Sequence, residues 1–213
     1  AVVCAIMFVA GTRWIYLGGI FATGATALAA LVIAIPNRLV RFHALMDLEA
    51  YKMDEGLQQW RALLALGSGG PLGLGLGGGR EKLFYMPYAH TDFIFPMIGE
   101  ELGALATISI VLAFVIFTVC GFAISINAPD RFGVLLGSGI TTLIAIEAAL
   151  NIGVTTAVLP NTGLPLPFVS YGGSSMLCTL AAVGILINIY RQGVDTDSPD
   201  VYAVKRRKVT PRI

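Results

Sequence analysis

The residues best suited to chemistry stand where a polar stretch meets an apolar one. In "YMPYAHTDFIFPMIGEELG", residues 85–103, His90, Thr91 and Asp92 precede a greasy run that then carries two adjacent glutamates, Glu100 and Glu101. A carboxylate at such an edge is partly shielded from water and is suited to take a proton from an attacking hydroxyl, which makes Asp92 a candidate general base. The spacing also allows a local role, because Thr91 or Asp92 could cap the free amides of a helix starting near Pro96. Glu100 and Glu101 do not complete a glycosidase-type pair with Asp92. Eight residues rise about 12 Å on a helix, whereas such carboxylates stand roughly 5–9.5 Å apart. Charges at this depth face a polar cavity or anchor neighbouring helices through hydrogen bonds, and both roles are open for the two glutamates.

Further along, Glu147 falls midway through an apolar segment, with Asn151 one turn later on the same face. Such a carboxylate is either a proton-pathway residue or a buried hydrogen-bonding partner of Asn151. The stretch "LPNTGLPLPFVSYGGSS", residues 159–175, concentrates three prolines and three glycines. Its prolines, Pro165 and Pro167 among them, fix an irregular re-entrant backbone. Its small residues Gly172, Gly173, Ser174 and Ser175 allow close helix approach. His43 and His90 lack metal-ligand spacing, so the residues alone assign no metal site. Residues 73–78, "GLGLGG", formally fit G-x-G-x-x-G, but no buried strand precedes them and a dinucleotide site is rejected. The eight glycines of residues 67–79 are expected to form either a tight, adaptable loop near a membrane surface or a flexible linker.

The elements that must position these residues are membrane helices. Charged residues make up only 13% of the 213-residue chain and apolar ones 56%, whereas a soluble domain carries about 25% charge. Residues 16–36, 102–126 and 168–190 are uncharged runs of 21, 25 and 23 residues, each long enough to cross a bilayer. Residues 132–160 qualify with the single interruption of Glu147. Residues 1–11 are expected to be the end of a further span whose beginning is absent. The expected fold is an all-α polytopic membrane protein, divided into residues 1–36 (part of one span and one complete span), a large extracytoplasmic loop over 37–91, three spans over 92–190 with a Pro-rich extracytoplasmic turn at 160–167, and a basic tail over 191–213. Within the loop, residues 48–66 have helical character. Crossing counts place Arg13, Arg131 and the tail on one side, with eight cations against the loop's six, so the positive-inside rule makes the C-terminus cytoplasmic. Cys4, Cys120 and Cys178 sit in apolar runs as packing residues and not in a disulfide framework. The net charge of +1 calls for no nucleic-acid partner.

Two motifs, "KLFYMPYAHTDFIFPMIGEELG" and "NIGVTTAVLPNTGLPLPFVSYGGSS", closely resemble the SEDS family (shape, elongation, division and sporulation), and its FtsW-like members more than RodA. More loosely, the resemblance extends over residues 41–191, through "RFHALMDLEAYKMDEGLQQWRALLALGSGG". It implies a bundle of about ten helices in the bacterial inner membrane, of which this chain holds the last four and part of another. It also implies a peptidoglycan glycosyltransferase that polymerises lipid II into β-1,4 glycan strands outside the membrane, in division or growth. The family's essential aspartate falls on Asp92 and its loop lysine on Lys82.

An α-linked diphosphate donor and a β product require inversion, hence one base for the acceptor hydroxyl. Lys82 and Arg80, or a divalent cation such as magnesium or manganese, would steady the leaving diphosphate. His90, Thr91, Ser170 and Ser174 join Lys82 and Arg80 as expected substrate-binding residues. Glu100, Glu101, Glu147, Asn151, Pro165, Pro167, Gly172 and Gly173 are expected to shape the structure and the cavity. The implied partners are lipid II, a class B penicillin-binding protein transpeptidase and other divisome or elongasome membrane proteins. Three positions depart from the pattern. Glu147 stands where Gln is frequent, Tyr88 where Glu is frequent in "PEAHTDF", and Asn161 where Val is common. A lipid II flippase and a scaffold for the transpeptidase are the competing readings, because midplane charge and broken helices are transporter features.

Overall fold

Between Ala104 and Ile126 the chain carries no charge, and in the structure that run is helical throughout. The structure is a computed structural model, and it describes residues 2–34, 40, 45–51, 53, 56–79 and 91–196. The described elements are α1 (Val2–Val9), α2 (Trp14–Ala34), α3 (Leu57–Gly69), α4 (Ile94–Ile126), α5 (Arg131–Thr155) and α6 (Gly173–Thr196). Among the described residues there is no strand. Four helices, α2, α4, α5 and α6, are long and apolar enough to cross a membrane.

The packing follows from where small residues lie. Helix α5 is the centre: α1, α4 and α6 all rest on it. A Cβ on Gly121 of α4 would meet Thr141 of α5, and one on Gly137 of α5 would meet Ser125 of α4, so the two backbones approach closely at paired small residues. Gly139 admits Ile6 of α1 in the same way. Ser125, Ser138, Thr141 and Thr155 are buried, and each returns its hydroxyl proton to the carbonyl four residues back. Their polarity therefore adds no unpaired donor to an interior with few partners. Close approach was expected at Gly172 and Gly173; among the described residues, a Cβ on Gly173 would meet nothing and one on Gly172 only its neighbour Ser175. The reason is position, since both stand at the outer end of α6 and not at a crossing.

Outward faces are apolar. Leu105, Ile108, Leu112, Val115, Ile116 and Val119 recur at helical spacing along α4, and all are exposed. Such a stripe suits hydrocarbon and not water. Cys120 and Cys178 belong to these outer faces, exposed and free, rather than to the packed interior.

The 33 residues of α4 do not make one straight rod. Gly103 adopts φ 80° and ψ −177°, a conformation open to glycine. The bend is sharp. A straight helix would separate Gly99 from Thr107 by about 12 Å, yet a Cβ on Gly99 would lie 3.2 Å from Thr107 Cγ2. A break of this kind strands carbonyls on one side and amides on the other. The glycine run after α3 fills the gap. Leu74 N donates to Glu100 O at 2.9 Å and Gly75 N to Glu101 O at 3.0 Å, while Ala104 N donates to Gly70 O at 2.8 Å and Leu105 N to Pro71 O at 3.4 Å. The run is thus pinned as a surrogate turn of helix, which decides between the adaptable loop and the free linker.

Helix α3 begins at Leu57 and continues to Gly69, later at both ends than the helical character of residues 48–66 suggests. It continues into the glycines because Gly69 lies directly on the Gly99 carbonyl, where any side chain would clash.

Candidate functional site

Asp92 opens α4, and the local sequence explains why its backbone is available. In a helix, its carbonyl would accept from the amide of residue 96, but Pro96 has no N–H to give. Asn151 of α5 takes the place of that donor, with Nδ2 donating to Asp92 O at 2.8 Å and to Leu164 O at 2.6 Å. The cap position belongs to Phe93, with no side-chain hydrogen bond. The Asp92 carboxylate is therefore not engaged as a helix cap.

Its nearest described neighbour of note is the Pro-rich turn. Gly163 has φ +64°, and a Cβ there would stand 3.4 Å from Asp92 Oδ2. The turn is tied down on every side. Leu166 N donates to Ser170 Oγ at 2.7 Å, and Ser170 N to Leu166 O at 3.0 Å. Asn161 Nδ2 donates to Gln58 Oε1 at 2.6 Å, and Gln59 Nε2 to Val154 O and Leu159 O at 3.0 and 2.7 Å. Leu166 and Pro167 are fully buried, and Phe168, held at φ 65°, stacks near Phe114 and Phe117. Below Asp92, Phe93 and Met97 pack on Ala62 and Ala65 of α3 and Val154 of α5. Two stretches far apart in sequence therefore meet around one carboxylate: the start of α4, and the end of α5 with the turn that follows it.

The other expected residues distribute as follows. Thr91 adjoins Asp92 and is half-buried. Ser170 is buried within the turn, whereas Ser174 is exposed at the start of α6. Glu100 is 1% exposed, and Gly79 lies over it and Glu101. Both glutamates therefore sit at the α4 break under the end of the glycine run. Asn151 bonds across to Asp92 and Leu164 rather than to Glu147, so the expected Glu147–Asn151 pair does not carry its amide protons. The physical reason is that two backbone carbonyls without helical donors lie on the other side of the ring of contacts. Lys82, Arg80, His90 and His43 lie outside the described residues. Among the described residues, no three His, Cys, Asp or Glu side chains converge as a metal would need. Sequence reasoning missed Gly163, Gln58 and Gln59. The glycine between Thr162 and Leu164 was a legible sign of positive φ, whereas nothing in "GLQQW" marks which glutamine turns inward.

Comparison with known proteins identifies a family for the chain. Residues 1–194 match the FtsW/RodA/SpoVE family, described as cell cycle protein. The chain is 43% identical over 183 residues to the "Probable peptidoglycan glycosyltransferase FtsW" of Geobacter metallireducens, covering 86% of this chain and 49% of that one. It is 41% identical over 192 residues to the stage V sporulation protein E of Bacillus subtilis, covering 88% and 52%. A chain from a solved peptidoglycan synthase complex, described for its coordination of polymerization and crosslinking, superposes with a TM-score of 0.70 at 27% identity, covering 88% of this chain and 52% of that chain. The chain spans about half the length of the curated relatives it matches. Matched by the family model over residues 1–194 and more than 40% identical to these relatives over most of its length, the chain belongs to the FtsW/RodA/SpoVE family.

Proposed function

We propose that the full-length protein polymerises lipid II into β-1,4 glycan strands, with Asp92 as the general base. The acceptor 4-hydroxyl oxygen attacks the anomeric carbon of the donor as its proton passes to the Asp92 carboxylate. The bond from that carbon to the diphosphate breaks on the opposite face, and the lipid diphosphate departs with the bonding electrons. Diphosphate needs no acid to leave, so one carboxylate suffices. The observation that carries this reading is a single half-buried carboxylate, free of capping duty, held between α4, α5 and a rigid turn. The name of the Geobacter metallireducens relative, a probable peptidoglycan glycosyltransferase, supports the same reaction class.

Lys82 and Arg80 are the proposed partners of the diphosphate, and His90, Thr91, Ser170 and Ser174 the proposed contacts to the sugars. Magnesium or manganese would serve as a further counter-charge for the diphosphate. The described residues provide no protein cage for such an ion, so no step here runs through it. The reaction is placed on the extracytoplasmic side of the bacterial inner membrane, with the C-terminus cytoplasmic. A class B penicillin-binding protein transpeptidase is the proposed partner, in line with the polymerization and crosslinking coordinated by the similar synthase complex.

The test is lipid II polymerisation by the full-length protein with its transpeptidase, comparing wild type with Asp92→Asn at matched expression. Strands from wild type alone are expected. Polymer from Asp92→Asn would remove the base assignment. Polymer from neither would move the weight to lipid II translocation, with Glu147→Gln as the next variant.

A further inference from the structure

We propose that Asn151 is a positioning residue for glycosyl transfer, its carboxamide locking the Asp92 backbone to the re-entrant turn so that the carboxylate is held against Gly163. The inference rests on the role of Asp92 given above and extends it to a residue that touches no reacting atom.

The geometry closes a ring. Asn151 Nδ2 reaches Asp92 O at 2.8 Å and Leu164 O at 2.6 Å. Leu164 follows Gly163, whose Cβ position lies 3.4 Å from Asp92 Oδ2. One donor group thus fixes both the chain that carries the base and the chain that bounds it. Acceptors on both protons settle which way the amide points. Asn151 is 1% exposed, so the position carries no solvent-facing freedom. Among the described residues its buried Oδ1 meets no hydrogen-bond donor, and such an acceptor carries a desolvation penalty that packing alone would select against. That penalty is understandable if the donor side is what the position is for. Neither carbonyl has a helical donor of its own. Asp92 O faces Pro96, and Leu164 lies outside any helix. Removing the carboxamide therefore frees both chains at once. Gly163 adds a second, independent constraint, because a methyl group there would be strained at φ +64° in the turn that borders the carboxylate, which it would meet at contact distance.

A displacement of about 1 Å in a reacting group costs on the order of 100-fold in rate. In the full-length complex, Asn151→Ala is expected to lower kcat for lipid II polymerisation about 10- to 100-fold while leaving KM within about 2-fold. Gly163→Ala is expected to show the same split. A structural role alone would reduce the amount of folded complex without changing kcat per folded complex. Wild-type kcat in Asn151→Ala, measured per folded complex, would overturn the proposal. If Asn151→Ala does not accumulate, Gly163→Ala decides, and wild-type kcat there overturns it equally. An active Asp92→Asn defeats the underlying base assignment instead. An inactive Asp92→Asn beside a fully active Asn151→Ala defeats only the positioning role.

Discussion

Asp92 and Gln59 show two ways in which a polar side chain earns a buried or half-buried place. Phe93 occupies the cap position and no side chain closes the helix end, so Asp92→Asn removes a base without removing a cap. It is expected to fold and assemble as wild type while losing polymerisation, with thermal unfolding and strand synthesis measured on the same preparation. Gln59 is the converse case. It is 2% exposed, and its Nε2 serves the carbonyls of Val154 and Leu159 where α5 ends. Replacing it by Leu keeps the volume but takes the donor from the buried Leu159 carbonyl, while Val154 O keeps Ala157 N at 3.1 Å, a cost of about 1–3 kcal/mol for the buried group. Gln59→Leu should therefore lower the unfolding temperature by several degrees, read by thermal denaturation in detergent. An unchanged midpoint would mean that water replaces the amide.

At the scale of elements, the broken helix and the glycine run form one unit. Neither half of α4 can end at Gly103 unless residues 70–75 supply the lost hydrogen bonds. The run in turn needs glycine at 73 and 75, where φ is 79° and 95°. At Gly103 itself a Cβ would fall 2.5 Å from Gly73 N and Pro71 O. Gly103→Ala combines that overlap with a backbone strain of about 1–3 kcal/mol. It is expected to loosen the run, so that the amides of Leu74 and Gly75 exchange with deuterium markedly faster than in wild type. Unchanged protection at those two amides would contradict the account of the break. Glu100 and Glu101 lie beneath this unit, which explains how an otherwise apolar helix accommodates adjacent carboxylates at its bend.

Across the described residues, one end gathers the candidate chemistry and the other holds the connection between α4 and α5, against which Gly193 of α6 lies. Asp92, the end of α5, the Pro-rich turn and α3 all meet at one end of the bundle. The Asn127–Asp130 connection, where Asp130 caps α5 by accepting from Gly133 N at 3.0 Å, lies at the other. On the proposed orientation, with a cytoplasmic C-terminus, a cysteine placed at Asn161 in a background without reactive thiols should react with an impermeant maleimide from outside intact cells or spheroplasts. One at Asn127 should react only after permeabilisation. The reverse pattern would invert the orientation and move the proposed reaction to the wrong face for wall synthesis.

Much of this was legible in the chain itself. Uncharged runs longer than a bilayer is thick dictate membrane helices whatever packs around them, because unpaired backbone groups cannot remain in hydrocarbon. The aspartate at the edge of such a run, and the prolines and glycines of the turn, mark the candidate site by residue type alone. What tertiary structure decided were relations over long separations. Asn151 reaches across 59 residues to Asp92, and Gln58 across 103 to Asn161. Local periodicity placed Asn151 beside Glu147 on one helix face, but its amide went to carbonyls that Pro96 and the irregular turn had left without donors. A glycine run reads as freedom until a broken helix elsewhere presents the stranded carbonyls and amides that fix it. Sequence determines which groups lack a partner locally, and only the packed fold determines who supplies one.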